Sequence, residues 1–124
     1  MSVKVELREL AERLAEFGFA YLITVGEDRR AHLVAATPAL DGDHLVVDGL
    51  GRHSTTNAAA NHDVTLVWPP TNAGGYSLIV DGTATAGDTS ITVRPTRAVL
   101  HRPAPGPDGS PCGSDCQPIA LTDP

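Results

Sequence analysis

The sequence predicts a mainly β domain with short helices: a six-stranded antiparallel sheet, curled into a barrel, with a leading helix and one short internal helix. Three observations carry this. Six apolar, β-branched runs are separated by Gly, Pro and Asp turn signals. Most links between them are too short for a helical crossover, so consecutive strands pair as hairpins. Gly82 and Pro95 fall inside the two longest runs, where they permit bulges and bends. Closing such a sheet on itself removes its exposed edges.

The elements follow in order. Leu7, Leu10, Ala11, Leu14 and Phe17 form one apolar helical stripe, with Glu6, Glu9, Glu12, Arg13 and Glu16 largely off it. Glu9 and Arg13 are spaced for an i,i+4 pair, and Gly18 is placed to end the helix. Ala20–Val25 is the first strand and Ala31–Ala36 the second, with Pro38 limiting its regular pairing. Asp41-Gly42-Asp43 turns the chain into a third strand, His44–Asp48. Thr55–Asn61 suits two turns of helix. Val64–Trp68, Tyr76–Ala86 and Ser90–Leu100 are strands four to six.

At 124 residues, 41% apolar but 4% aromatic, the chain is one domain whose core rests on Val, Leu, Ile and Ala. A formal charge of −6 argues against nonspecific nucleic-acid binding and against docking on anionic lipid. The N-terminus carries alternating charges instead of an apolar leader, and no apolar run approaches a membrane span. A soluble cytoplasmic protein is expected. From Pro103 the composition changes to alternating Pro and Gly, so the domain reads as 1–102 and the tail as 103–124. Ile119, Ala120 and Leu121 are a candidate docking point in that tail. Cys112 and Cys116 lie there too, without the further ligands a zinc site requires; no metal site is expected, and a local redox-sensitive pair stays open.

The stretch Asp48-Gly49-Leu50-Gly51-Arg52-His53-Ser54-Thr55-Thr56-Asn57 carries the densest chemistry. It leaves a strand and enters a helix. Arg52, His53, Ser54 and Thr55 crowd the helix start, where backbone N–H groups and the positive dipole end favour an anion. The same residues equally suit an ordinary turn in which Ser54 or Thr55 caps the helix and Arg52 is solvated. The spacing matches neither a Walker loop nor GxGxxG. His32, His44, His53, His62 and His101 are candidates for proton transfer; His53 stands out by adjoining the candidate anion site. Tyr21, Trp68 and Tyr76 read as core or interface aromatics before stacking partners.

Over the span from the first helix to about His101, the chain resembles the pyridoxamine 5′-phosphate oxidase-like, flavin-binding split-barrel proteins, in particular small actinobacterial members. The stretches that carry the resemblance are AYLITV, AHLVAATPAL, HLVVDGLGRHSTTNAAANHDVTLVW and GYSLIVDGTA, together with their order. It implies a six-stranded split barrel, a homodimer, and FMN or the deazaflavin coenzyme F420 in a groove between subunits. It further implies an oxidoreductase in which the cofactor carries hydride to or from a small molecule and no catalytic side chain is assigned. Carried over, Arg52, His53, Ser54, Thr55 and Asn57 lie at or near the phosphate, and Val34, Ala35, Ala36 and Thr37 lie along the ring, mainly through backbone groups. Asn57 meets a frequent family Asn, His53 meets a frequent Arg, and Ser54 stands where many flavin-binding members carry Lys or Arg. A charge-assisted contact of that kind is worth about 1.5–3 kcal/mol. That departure motivates two further readings: a non-catalytic module binding a small phosphorylated ligand, and a protein interaction module.

Overall fold

The computed structural model describes residues 2–103. In chain order they form β1 (Ser2–Val5), a 3-10 turn (Leu7–Glu9), α1 (Leu10–Leu14), β2 (Ala20–Val25), β3 (Ala31–Ala36) and β4 (Ala39–Asp41). Then come β5 (His44–Val47), α2 (Arg52–Ala60), β6 (Asp63–Trp68), β7 (Ser77–Ala86) and β8 (Ile91–His101). All pairings are antiparallel, in the order β3-β2-β6-β7-β8-β5-β4, with β1 also on β8. The sheet curls as a half-barrel, with β3 and β4 at its two ends.

The six expected strands are present, and two short ones join them. β1 forms because Val3 and Val5 pair with Leu100 and Ala98, which lets Val5 close one margin of the core. β4 forms because pairing resumes after Pro38 for three residues, across a turn in which Gly42 takes φ +64°. Neither is long enough to show a period in the sequence.

The leading helix is shorter than its stripe predicts. A 3-10 turn covers Leu7–Glu9, and the α-helix stops at Leu14, with i→i+3 bonds from Glu16 to Arg13 and from Phe17 to Leu14. Gly18 therefore lies beyond its end. Arg13 pairs with Glu16 at 3.4 Å instead of with Glu9, which belongs to the 3-10 turn. Only Leu10 is fully buried, Leu14 and Phe17 pack partly, and Leu7 is 44% exposed. A helix this short depends on tertiary packing, and one full anchor holds little more than one turn.

Leu22, Leu45, Leu66, Leu78, Val80, Ile91 and Val93 fill the concave side, with Trp68 among them. β7 and β8 cross it as one long hairpin. Their register slips between Asp81 and Gly82: Asp81 pairs with Arg97 and Gly82 with Pro95, leaving Thr96 as the extra residue of a bulge. A Cβ on Gly82 would stand 2.5 Å from Val93 Cγ1 and 2.7 Å from the Arg94 carbonyl oxygen. Residues from 104 onward, including Cys112, Cys116 and the Ile119–Leu121 segment, lie outside the described residues.

Gly82→Ala is expected to destabilise the domain by about 1–3 kcal/mol through overpacking against β8. A lower urea midpoint at unchanged slope would show it.

Candidate functional site

α2 begins three residues earlier than the sequence suggests, at Arg52, with Gly51 as an extended N-cap residue. No side chain caps it. Thr55 is instead inside the first turn, its hydroxyl donating back to the carbonyls of Arg52 (3.2 Å) and Gly51 (3.4 Å). The approach is set by Gly49, at φ +72°, which lets Leu50 bury itself while its N–H donates to the Thr89 carbonyl at 2.7 Å. The chain thus reaches the helix start pinned to the β7–β8 turn.

Helical spacing then sorts the side chains. Ser54, Thr55, Asn57 and Ala58 are buried, whereas Arg52, His53 and Thr56 are exposed. Arg52, His53, Thr56, Asn57 and Ala60 line one wall of a cleft of about 550 Å³, and Glu27 and Asp28 of the β2–β3 turn line the other. Asn57 holds the walls together. Its Nδ2 donates to the Thr24 hydroxyl at 3.2 Å, and its side chain lies so close over Gly26 that a Cβ there would overlap the amide oxygen. Thr24 is directly opposite His32 on β3. The His32 ring stacks on that of His53, centroids 4.1 Å apart and planes at 17°.

The residues expected on the ring side follow His32 along β3. Val34 and Ala36 pair with the buried Leu22 and Ala20, so they share the core-facing side of the strand, and both are half-buried. Ala35 pairs with Tyr21 on the opposite side, and Thr37 follows the strand, exposed. Because β3 pairs only with β2 among the described residues, its other edge offers backbone N–H and C=O groups to a ligand. Arg52, His53 and Asn57 are brought together at the cleft. Ser54, 1% exposed, packs beneath it. His44, His62 and His101 lie elsewhere; Ser2 and His101 share a hydrogen bond of 3.0 Å at the far end of β8.

Glu27, Asp28, Thr56 and the pairing of His32 with His53 were not read from the sequence. Thr56 was legible once the helix start was known, being one turn from His53. The His32–His53 stack had no local signal, since it depends on strand register. Among the described residues no group of three His, Cys, Asp or Glu is arranged to hold a metal.

No protein-family model matches the chain. It is 44% identical over 129 aligned residues to uncharacterized proteins of Mycobacterium bovis and Mycobacterium tuberculosis, covering 91% of this chain and 90% of each relative. Among solved structures it superposes on an F420 reductase with a TM-score of 0.56 at 22% identity, covering 70% of this chain and 94% of that one. A Listeria innocua protein described as a candidate pyridoxamine 5′-phosphate oxidase gives 0.62 at 15%, covering 76% and 96%. HutZ, described as a heme storage protein of Vibrio cholerae, gives 0.55 at 12%, covering 74% and 91%. At such identities these likenesses are of fold.

Asn57→Ala is expected to cost about 1–3 kcal/mol by leaving the buried Thr24 hydroxyl without its donor. Adding Thr24→Val should recover part of that loss in a double-mutant cycle read by urea unfolding.

Proposed function

We propose that the chain, whose fold is shared with an F420 reductase and with a candidate pyridoxamine 5′-phosphate oxidase, belongs with the flavin-binding split-barrel proteins, binds FMN or coenzyme F420 and serves hydride transfer with a small molecule. One observation supports this most: His32, on the open-edged strand β3, stacks on His53, which lines the cleft at the first turn of α2. From His32 to Ala36 the strand covers about 13 Å, a span suited to a ligand with an anionic end and a flat polar end. The donor set fits such a group. Arg52, His53 and Thr56 face the cleft, and the uncapped first turn of α2 offers backbone N–H groups. Val34, Ala35, Ala36 and Thr37 run along an edge whose backbone groups are open to the polar rim of a ring.

When bound, a flavin or deazaflavin supplies the hydride chemistry itself. The chain's own residues bind and orient it. Arg52 would offer a charge-assisted contact to the phosphate, Asn57 fixes α2 against β2, and the open backbone edge of β3 would hold the polar rim of the ring. A second reading is a non-catalytic module for a small phosphorylated ligand, which would use Arg52, His53, Thr56 and the uncapped first turn of α2 and need no ring along β3. A visible spectrum of the purified protein with each cofactor added separately distinguishes the readings. A flavin or deazaflavin band that survives gel filtration supports the first, a heme Soret band replaces it, and a colourless protein favours the second. Arg52→Ala is expected to weaken FMN or F420 binding by about 10- to 100-fold, measured by fluorescence titration, in line with the loss of a contact worth about 1.5–3 kcal/mol.

The proposal includes a homodimer. The convex side of β2 and β3 exposes Phe19 (44%), Tyr21 (39%) and Leu33 (53%), with Leu33 opposite Ile23 and Tyr21 opposite Ala35. Phe19 and Tyr21 meet edge to face at 5.2 Å. An apolar face of this kind suits a self-complementary contact beside the cofactor edge. Leu33→Asp is expected to halve the mass seen by light scattering while leaving the far-UV circular dichroism unchanged; a dimer that persists would place the interface elsewhere.

A further inference from the structure

We infer that His32 and His53 act as one phosphate-recognising pair, taking up a proton when a phosphate-bearing cofactor enters the cleft. The inference rests on the cofactor reading above. It assigns a binding role to His32, a residue of β3, through its contact with the helix.

The geometry is specific. The rings stack with centroids 4.1 Å apart and planes at 17°. They come from two elements held in fixed relation, since His32 is opposite Thr24, and the Thr24 hydroxyl accepts from Asn57 of α2. Around the pair, β2 contributes Thr24, which is uncharged; the β2–β3 turn contributes Glu27 and Asp28; α2 contributes Arg52. Arg29 and Arg30 belong to the same β2–β3 turn, the Arg30 N–H donating to the Asp28 carboxylate at 3.0 Å, and neither lines the cleft.

That lining is poorly balanced for a phosphate. Among the residues that line the cleft, Arg52 is the one guanidinium against Glu27 and Asp28. Ser54, where many flavin-binding relatives carry a cation by resemblance, is uncharged and buried. A proton on the imidazole pair corrects the balance on the α2 side. Two protonated rings at this separation repel each other unless an anion lies beside them. A bound phosphate and a protonated pair therefore favour each other, and by linkage the affinity must depend on pH.

The sign is defined. Imidazole is the side chain that ordinarily changes charge between about pH 5 and 8, whereas carboxylates and guanidinium groups ordinarily keep theirs. A phosphate monoester is largely dianionic above about pH 6.5. Raising the pH thus removes protons from the pair while adding little charge to the ligand, and binding weakens. Phosphate ionisation alone would act in the opposite direction.

The test is fluorescence titration of the full chain, of His32→Gln and of His53→Gln, at pH 6.5 and 8.5. The probes are FMN, coenzyme F420 and riboflavin, which has no phosphate. The affinity for FMN or F420 is expected to fall about tenfold between the two pH values. Riboflavin affinity should stay level and report that the variants keep their fold, with circular dichroism as a second check. Either Gln substitution should flatten the dependence and weaken FMN or F420 at pH 6.5. Binding of FMN or F420 that is equal at both pH values, or unchanged in His32→Gln, overturns this inference and leaves the cofactor reading standing. No binding of FMN or F420 at either pH overturns both.

Discussion

β8 pairs with three strands, and the remaining architecture depends on how it divides its outer edge. Ile91–Val93 pair with β5, and Ala98–His101 pair with β1, while β7 follows the whole length of the other edge. The bulge at Thr96 separates the two halves. It is possible only because Pro95 needs no donor in the ladder and Gly82 leaves room for it. Without that break, one continuous straight edge would present both β1 and β5 on one plane. With it, the sheet bends around Leu45, Leu78 and Ile91, and β5 delivers the chain to the start of α2 from inside the curl.

The position of α2 is the second constraint. Asn57 occupies the space above Gly26, and its amide reaches the end of β2 at Thr24. A helix held this close to the β2–β3 turn leaves its exposed face, Arg52, His53 and Thr56, looking across at Glu27 and Asp28. The cleft is thus a by-product of one close approach. Asn57 serves the fold as much as any ligand, because a buried amide without a partner would be costly.

Much of this was readable beforehand. The long strands were legible because apolar β-branched runs end at Gly, Pro and Asp, and Gly82 and Pro95 announced a bulge by what each cannot do in a regular ladder. Arg52 and His53 were legible, with Ser54 and Thr55, as a crowded helix start, and Asn57 through the family resemblance. The helix boundaries were not. The first helix is limited by how much of its stripe finds a core, and the second begins at Arg52 because Gly51 is extended, which residue type alone does not dictate. The contact of His32 with His53 was least legible. It is one His among five in the chain, and only its place opposite Thr24 joins it to His53.

Burial at position 54 gives a physical meaning to the absence there of the cation that the resemblance to flavin-binding split-barrel proteins leads one to expect. Ser54 packs beneath the first turn, 1% exposed, so an ammonium or guanidinium at that place would lose its water. An unpaired charge there would cost several kcal/mol whenever the cleft held no anion. The exposed positions beside it carry no such penalty, and they hold Arg52 and His53. In the binding mode proposed above, positive charge for an anion comes from the rim, at Arg52 and, under the inference above, at the imidazole pair. A rim of that kind lets the protein stay stable without a buried cation, and under the proposed pairing of His32 with His53 its hold on a phosphate would strengthen when protons are available.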